Sequence, residues 1–85
     1  MTMKITSNNK LMYQTSDLAC AAAISLFVPL EDVDKSDSRR AYFIFARTPE
    51  LEDIINEFQK RQLSVEPRAY FDQIKALKTR LYEVN

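Results

Sequence analysis

Residues 39–58 read RRAYFIFARTPELEDIINEF, and how this stretch folds decides the architecture of the chain. Arg39 to Ala46 is rich in aromatic and β-branched side chains, the composition of a strand. Successive side chains alternate between faces, so Tyr42 and Ile44 point one way and Phe43 and Phe45 the other. Both faces of this strand are therefore apolar. Thr48-Pro49-Glu50 then opens a helix, with a hydroxyl cap, proline at the first helical position and an acid after it. Leu51, Ile54, Ile55 and Phe58 follow at i, i+3, i+4 and i+7, a single apolar stripe. Lys60-Arg61 place bases at the negative end of that helix.

Working upstream, Val28 to Lys35 reads as a second strand with Pro29 near its start, which suits an edge strand. Ser36-Asp37-Ser38 supplies the turn between the two. A hairpin alone is not stable in water, so helices must cover at least one of its faces. Thr15-Ser16-Asp17 starts such a helix, expected over about residues 16–27. It is apolar nearly all round, as a helix buried on most sides is. Lys10 to Gln14 is expected to be a short extended arm, and polar residues 1–9 a flexible N-terminal tail. Downstream, Leu63 and Val65 lead to Pro67, which opens a last helix running to about Glu83. Tyr70, Ile74, Leu77 and Leu81 recur along one face of it. The expected fold is α+β, helix–β-hairpin–helix–helix, with residues 10–85 as a single domain. Its expected core is Leu18, Ala22, Leu26, Phe43, Phe45, Leu51, Ile55, Phe58, Ile74, Leu77 and Leu81.

The 85 residues leave room for one domain only. A chain of this size has a stability of about 5 kcal/mol. One cysteine rules out an internal disulfide and a Cys-rich metal site, and a reducing, cytoplasmic setting fits. Cys20, inside the alanine-rich helix, reads as a small core residue. The first ten residues lack the apolar segment of a signal peptide. The longest apolar run, LACAAAISLFVPL at 18–30, is too short to span a bilayer.

Much chemistry is excluded by composition. There is no histidine, hence no Ser-His or Cys-His pair and no imidazole base. There is no glycine, hence no glycine-dependent phosphate loop, and turns are expected to use αR and β conformations. EDVDKSD, residues 31–37, places Asp32, Asp34 and Ser36 at alternate positions like a calcium loop. Asp37 stands where that loop needs glycine and Phe43 where it needs glutamate, so it reads as a solvated hairpin end. Glu52 and Asp53 are adjacent acids in the first turns of a helix, placed for its dipole. The expectation is a protein that is not an enzyme and takes no cofactor or metal.

Formal net charge is zero, yet the charge is uneven. Glu31, Asp32, Asp34, Asp37, Glu50, Glu52, Asp53 and Glu57 make an acidic middle. Lys60, Arg61, Arg68, Lys75, Lys78 and Arg80 make a basic end. The simplest reading is that the two halves complement each other within one fold or across a dimer. On the last helix Phe71, Lys78 and Tyr82 share a stripe bordered by Arg68 and Lys75. Aromatics with interleaved bases suit an acidic protein surface or a nucleic acid, through pairing and stacking. The competing structural reading is that Phe71 and Tyr82 widen the buried face while the lysines snorkel at its edge. Arg39, Arg40 and Arg47 form a weaker second basic group, explicable as edge-strand protection and pairing with the acidic first strand. The expected partner is a protein, including a second copy of the chain in a homodimer. The runner-up is a nucleic acid held by Arg68, Lys75, Lys78 and Arg80. No membrane is expected.

Three blocks, YQTSDLACAAAISL, RRAYFIFARTPELEDIINEF and LSVEPRAYFDQIKALKTRLYE, resemble in order those of a small prokaryotic and viral family, domain of unknown function 5659. The resemblance covers about residues 13–83. It rests most on Thr15, Asp17-Leu18, Tyr42-Phe43-x-Phe45 and Lys75-x-x-Lys78-x-x-Leu81-Tyr82. Where this family often has a glycine after the first helix, Phe27-Val28 stand here, so the passage into the hairpin departs from its pattern. The resemblance implies an α/β arrangement and a bacterial or phage setting. It implies no activity and no binding residues.

Overall fold

A computed structural model describes residues 12–83, so the tail expected over residues 1–9 lies outside the described residues. The elements run β1 (Met12–Thr15), α1 (Leu18–Ser25), β2 (Leu30–Asp37), β3 (Arg40–Ala46), α2 (Pro49–Gln59) and α3 (Pro67–Tyr82). The class is α+β, as expected, but the expected hairpin is part of a three-stranded antiparallel sheet of order β1-β3-β2. The extended arm is its third strand: Tyr13 pairs with Phe45 and Thr15 with Phe43. This makes β3, the most apolar strand, the central one, with hydrogen bonds on both edges.

The register assigns the faces. Tyr13, Leu30, Val33, Phe43 and Phe45 share one side, and Phe43 and Phe45 are buried there with the helices. Tyr42 and Ile44 lie on the other side, half-buried and apart from the core. Among the described residues, the three helices thus pack on one apolar face and not on the other. Leu30 and Val33 are an odd number of residues apart, so simple alternation would put them on opposite faces. A register shift between Leu30 and Asp32 inserts Glu31 and brings both side chains inward. A second shift, between Asp34 and Asp37, lies next to the Ser38-Arg39 turn. Neither turn residue has positive φ, so this is not the mirror-image turn that matches strand twist. The shift accommodates the mismatch, and Asp37 Oδ1 accepts the Arg39 N–H at 2.9 Å.

Caps set the helix ends. Asp17 itself caps α1, its Oδ1 accepting the N–H groups of Ala19 at 3.0 Å and Cys20 at 3.4 Å. Thr15 Oγ1 in turn accepts the Asp17 N–H at 3.1 Å, so the helix starts two residues later than expected. At the other end Leu26 is αR, and the N–H groups of Phe27 and Val28 both return to the Ile24 carbonyl. The chain leaves α1 without a glycine. Thr48 caps α2 as expected, accepting the Leu51 N–H at 3.1 Å. Glu66 caps α3, accepting the Ala69 N–H at 2.7 Å.

The C-terminal end of α2 departs from expectation. Arg61 has φ of 60°, the left-handed region. Its N–H bonds the Phe58 carbonyl at 3.0 Å, and the Gln62 N–H bonds the Glu57 carbonyl at 2.8 Å. This is the Schellman ending, whose left-handed position is usually glycine. Because the chain has no glycine, an arginine takes it.

The core joins Ala21, Ala22 and Ile24 of α1, Phe43 and Phe45 of β3, Leu51, Ile54 and Ile55 of α2, and Leu77 of α3. Leu18, Phe58, Ile74 and Leu81 pack against it while partly exposed. Leu26 does not join it, because the helix ends at Ser25 and Leu26 is only half-buried beyond it. Cys20 is buried beside Tyr13, as its reading as a small core residue requires.

Candidate functional site

Three anchors fix the rotation of α3. Leu77 is buried, Tyr70, Ile74 and Leu81 pack on the core, and the Tyr70 hydroxyl donates to the Ala19 carbonyl at 3.0 Å. At the far end, Lys35 Nζ donates to the Glu83 carbonyl at 2.9 Å, tying β2 to the end of α3. With that face turned inward, helical geometry of about 100° per residue turns Arg68, Phe71, Lys75, Lys78 and Tyr82 outward together.

All five are exposed. Phe71 is 59% exposed and Tyr82 77%, so neither widens the buried face. Lys75 Nζ sits 4.9 Å from the centre of the Phe71 ring, a cation–π contact that holds a charge over the aromatic. Arg80, the fourth base of the nucleic-acid alternative, falls on the opposite flank of α3. There its Nε faces Glu83 Oε1 at 3.9 Å, so the structure does not gather those four bases on one face.

The second basic group also divides. Arg47 forms an ion pair with Glu52 of α2 and lies 5.3 Å from the centre of the Tyr13 ring. It therefore pairs with α2 rather than with the acidic strand β2. Arg39 and Arg40 are exposed at the hairpin end. Of the acids in the calcium-like segment, Asp32 accepts the Val33 N–H at 2.8 Å and Asp34 the Ser36 N–H at 2.9 Å. These carboxylates serve their own backbone, as turn-forming aspartates do.

Two groups, buried Cys20 and half-buried Tyr13, bear on reactivity. Burial pushes the Cys20 thiol above its ordinary value of 9.0, which keeps it protonated and weakly nucleophilic at neutral pH. Burial also raises Tyr13, and the adjacent Cys20 adds to the shift. Neither group reaches the exposed face of α3.

The sequence reading missed a cleft of about 460 Å³ between α1, the end of α2 and the segment leading into α3. Arg61, in its left-handed conformation, is one of its walls. No local signal pointed to it: without glycine the turns were expected in αR and β conformations, and Arg61 departs from that expectation.

Fold and surface together define a small α+β domain that presents a mixed aromatic and basic helix face. The chain belongs to the family described as Domain of unknown function (DUF5659), which matches residues 10–83. No curated protein and no solved structure matches it significantly. Among the described residues, no helix is long and apolar enough to cross a membrane.

Proposed function

We propose that this chain is a small non-catalytic interaction module that binds a protein through Arg68, Phe71, Lys75, Lys78 and Tyr82. One observation carries the reading: two large aromatics stand exposed on one helix face among basic side chains. Exposed aromatic rings on a rigid helix supply apolar contact at low entropic cost, as interface hot spots do. The bases favour a partner whose surface is acidic around an apolar centre. Self-association belongs to the same reading, with the open sheet face at Tyr42 and Ile44 as its seat, and light scattering that finds only monomer at micromolar concentrations rejects it. A bacterial or phage origin and a cytoplasmic setting accompany the proposal, the second resting on a free, buried cysteine.

A nucleic acid is the alternative, because Phe71 and Tyr82 beside lysines could stack bases and pair phosphates. A net charge of zero and the turned-away Arg80 weigh against it. The two readings separate by salt. Fluorescence anisotropy of single- and double-stranded oligonucleotides, at two salt concentrations, is compared for the wild type and the Lys75→Glu/Lys78→Glu variant. The expected result is no binding at low salt, with affinity capture then recovering a protein that the variant fails to hold. Salt-steep oligonucleotide binding that the variant loses overturns the proposal in favour of nucleic acid.

A further inference from the structure

The cleft beside Arg61 lies apart from the outward face of α3 and has its own chemistry. Its apolar lining is Ala23, Phe58, Leu63, Val65 and Tyr70. Gln59 and Arg61 complete it, so the lining has one cation and no carboxylate. At about 460 Å³ it falls within the range of about 300–1,000 Å³ typical of small-ligand sites. Among the described residues, the Arg61 side chain has no ion pair or hydrogen-bond partner. Its backbone is held in the left-handed region by the two hydrogen bonds that end α2. Glycine would take that position at lower cost, and a backbone outlier of this kind is a pointer to a use for the side chain it carries. An unpaired guanidinium beside an apolar cleft complements a ligand with a hydrocarbon body and one anionic group, and its planar fork matches a carboxylate.

We propose that this cleft binds a small apolar monocarboxylate, its body against Phe58, Leu63, Val65 and Tyr70 and its carboxylate on Arg61. The test is a ¹⁵N–¹H titration of the full chain at neutral pH with octanoate, and with octanol and octylamine as probes of equal chain length. Octanoate is expected to shift the amides of Phe58, Arg61, Leu63 and Tyr70 saturably, with octanol about tenfold weaker or more and octylamine weaker still. Arg61→Lys, which keeps the charge but loses the planar fork, should bind more weakly than the wild type and more tightly than the variants that remove the charge. Arg61→Gly, which relieves the backbone, and Arg61→Gln, which keeps a side chain, should each lose about tenfold or more. The proposal is overturned if octanol binds as well as octanoate, or if either charge-removing variant binds like the wild type. It is equally overturned if the shifts fall outside the cleft or do not saturate.

Discussion

Replacing Arg61 by glycine should make the protein more stable, although it removes a long side chain. Arg61 is at φ 60° in the Schellman ending of α2. An L-residue with a Cβ is disfavoured in that region by about 1–2 kcal/mol. Glycine escapes this cost but carries more backbone freedom in the unfolded chain, which offsets about 0.5–1 kcal/mol. The Arg61 side chain has no partner among the described residues, so little else is lost. The net gain is then about 0.5–1 kcal/mol, or ~2–8 °C in melting temperature for a domain of this size. Urea denaturation followed by far-UV circular dichroism measures it, with Arg61→Ala alongside. Alanine also drops the side chain but keeps the left-handed cost, so the difference between glycine and alanine isolates the backbone. An Arg61→Gly protein no more stable than Arg61→Ala would refute the reasoning.

Phe45 is fully buried in the central strand, so Phe45→Ala should cost about 3–5 kcal/mol, most of the total, and abolish the cooperative thermal transition. Asp17→Ala removes the acceptor for two N–H groups of α1 and should cost about 1 kcal/mol in urea denaturation, whereas Asp17→Asn should restore most of it. Burial raises Tyr13 and Tyr70 in the folded chain, so their contribution is fully present below the ordinary value of 10.0 and is lost as pH climbs beyond it. Cys20, also raised by burial, begins the same loss above 9.0. Melting temperature should therefore fall from about pH 9 upward, and the double variant Tyr13→Phe/Tyr70→Phe should flatten the part above pH 10.

The parts of the fold that were legible in the sequence are those with local causes. Thr48-Pro49 starts α2 because a side-chain acceptor and a fixed φ act within one turn, and the fixed φ of Pro67 marks the start of α3, where only the structure showed the Glu66 cap. The stripes of α2 and α3 and the aromatic run of β3 follow from the 3.6- and 2-residue periods of the backbone. These also sufficed to place Arg68, Phe71, Lys75, Lys78 and Tyr82 on one face of α3. Whether that face was buried depended on which side of α3 met α1, and the packing of Tyr70 on Ala19 settled it.

The remainder rested on contacts between distant residues, for which no local preference exists. Residues 12–15 carry too little pattern to declare a strand, and become one because β3 offers an unpaired edge. Leu30 and Val33 both reach the core only through the bulge at Glu31, which strict alternation conceals. Leu26 has the composition of a core residue but lies beyond the end of α1. By itself, then, the sequence determined the α+β class, the starts of α2 and α3, the pairing of β2 with β3 and the exclusion of chemistry that needs glycine or histidine. Only tertiary structure decided the third strand, the open sheet face and the residue that takes positive φ. Backbone preference acts over a few residues, whereas pairing and burial are set by whatever the rest of the chain brings alongside.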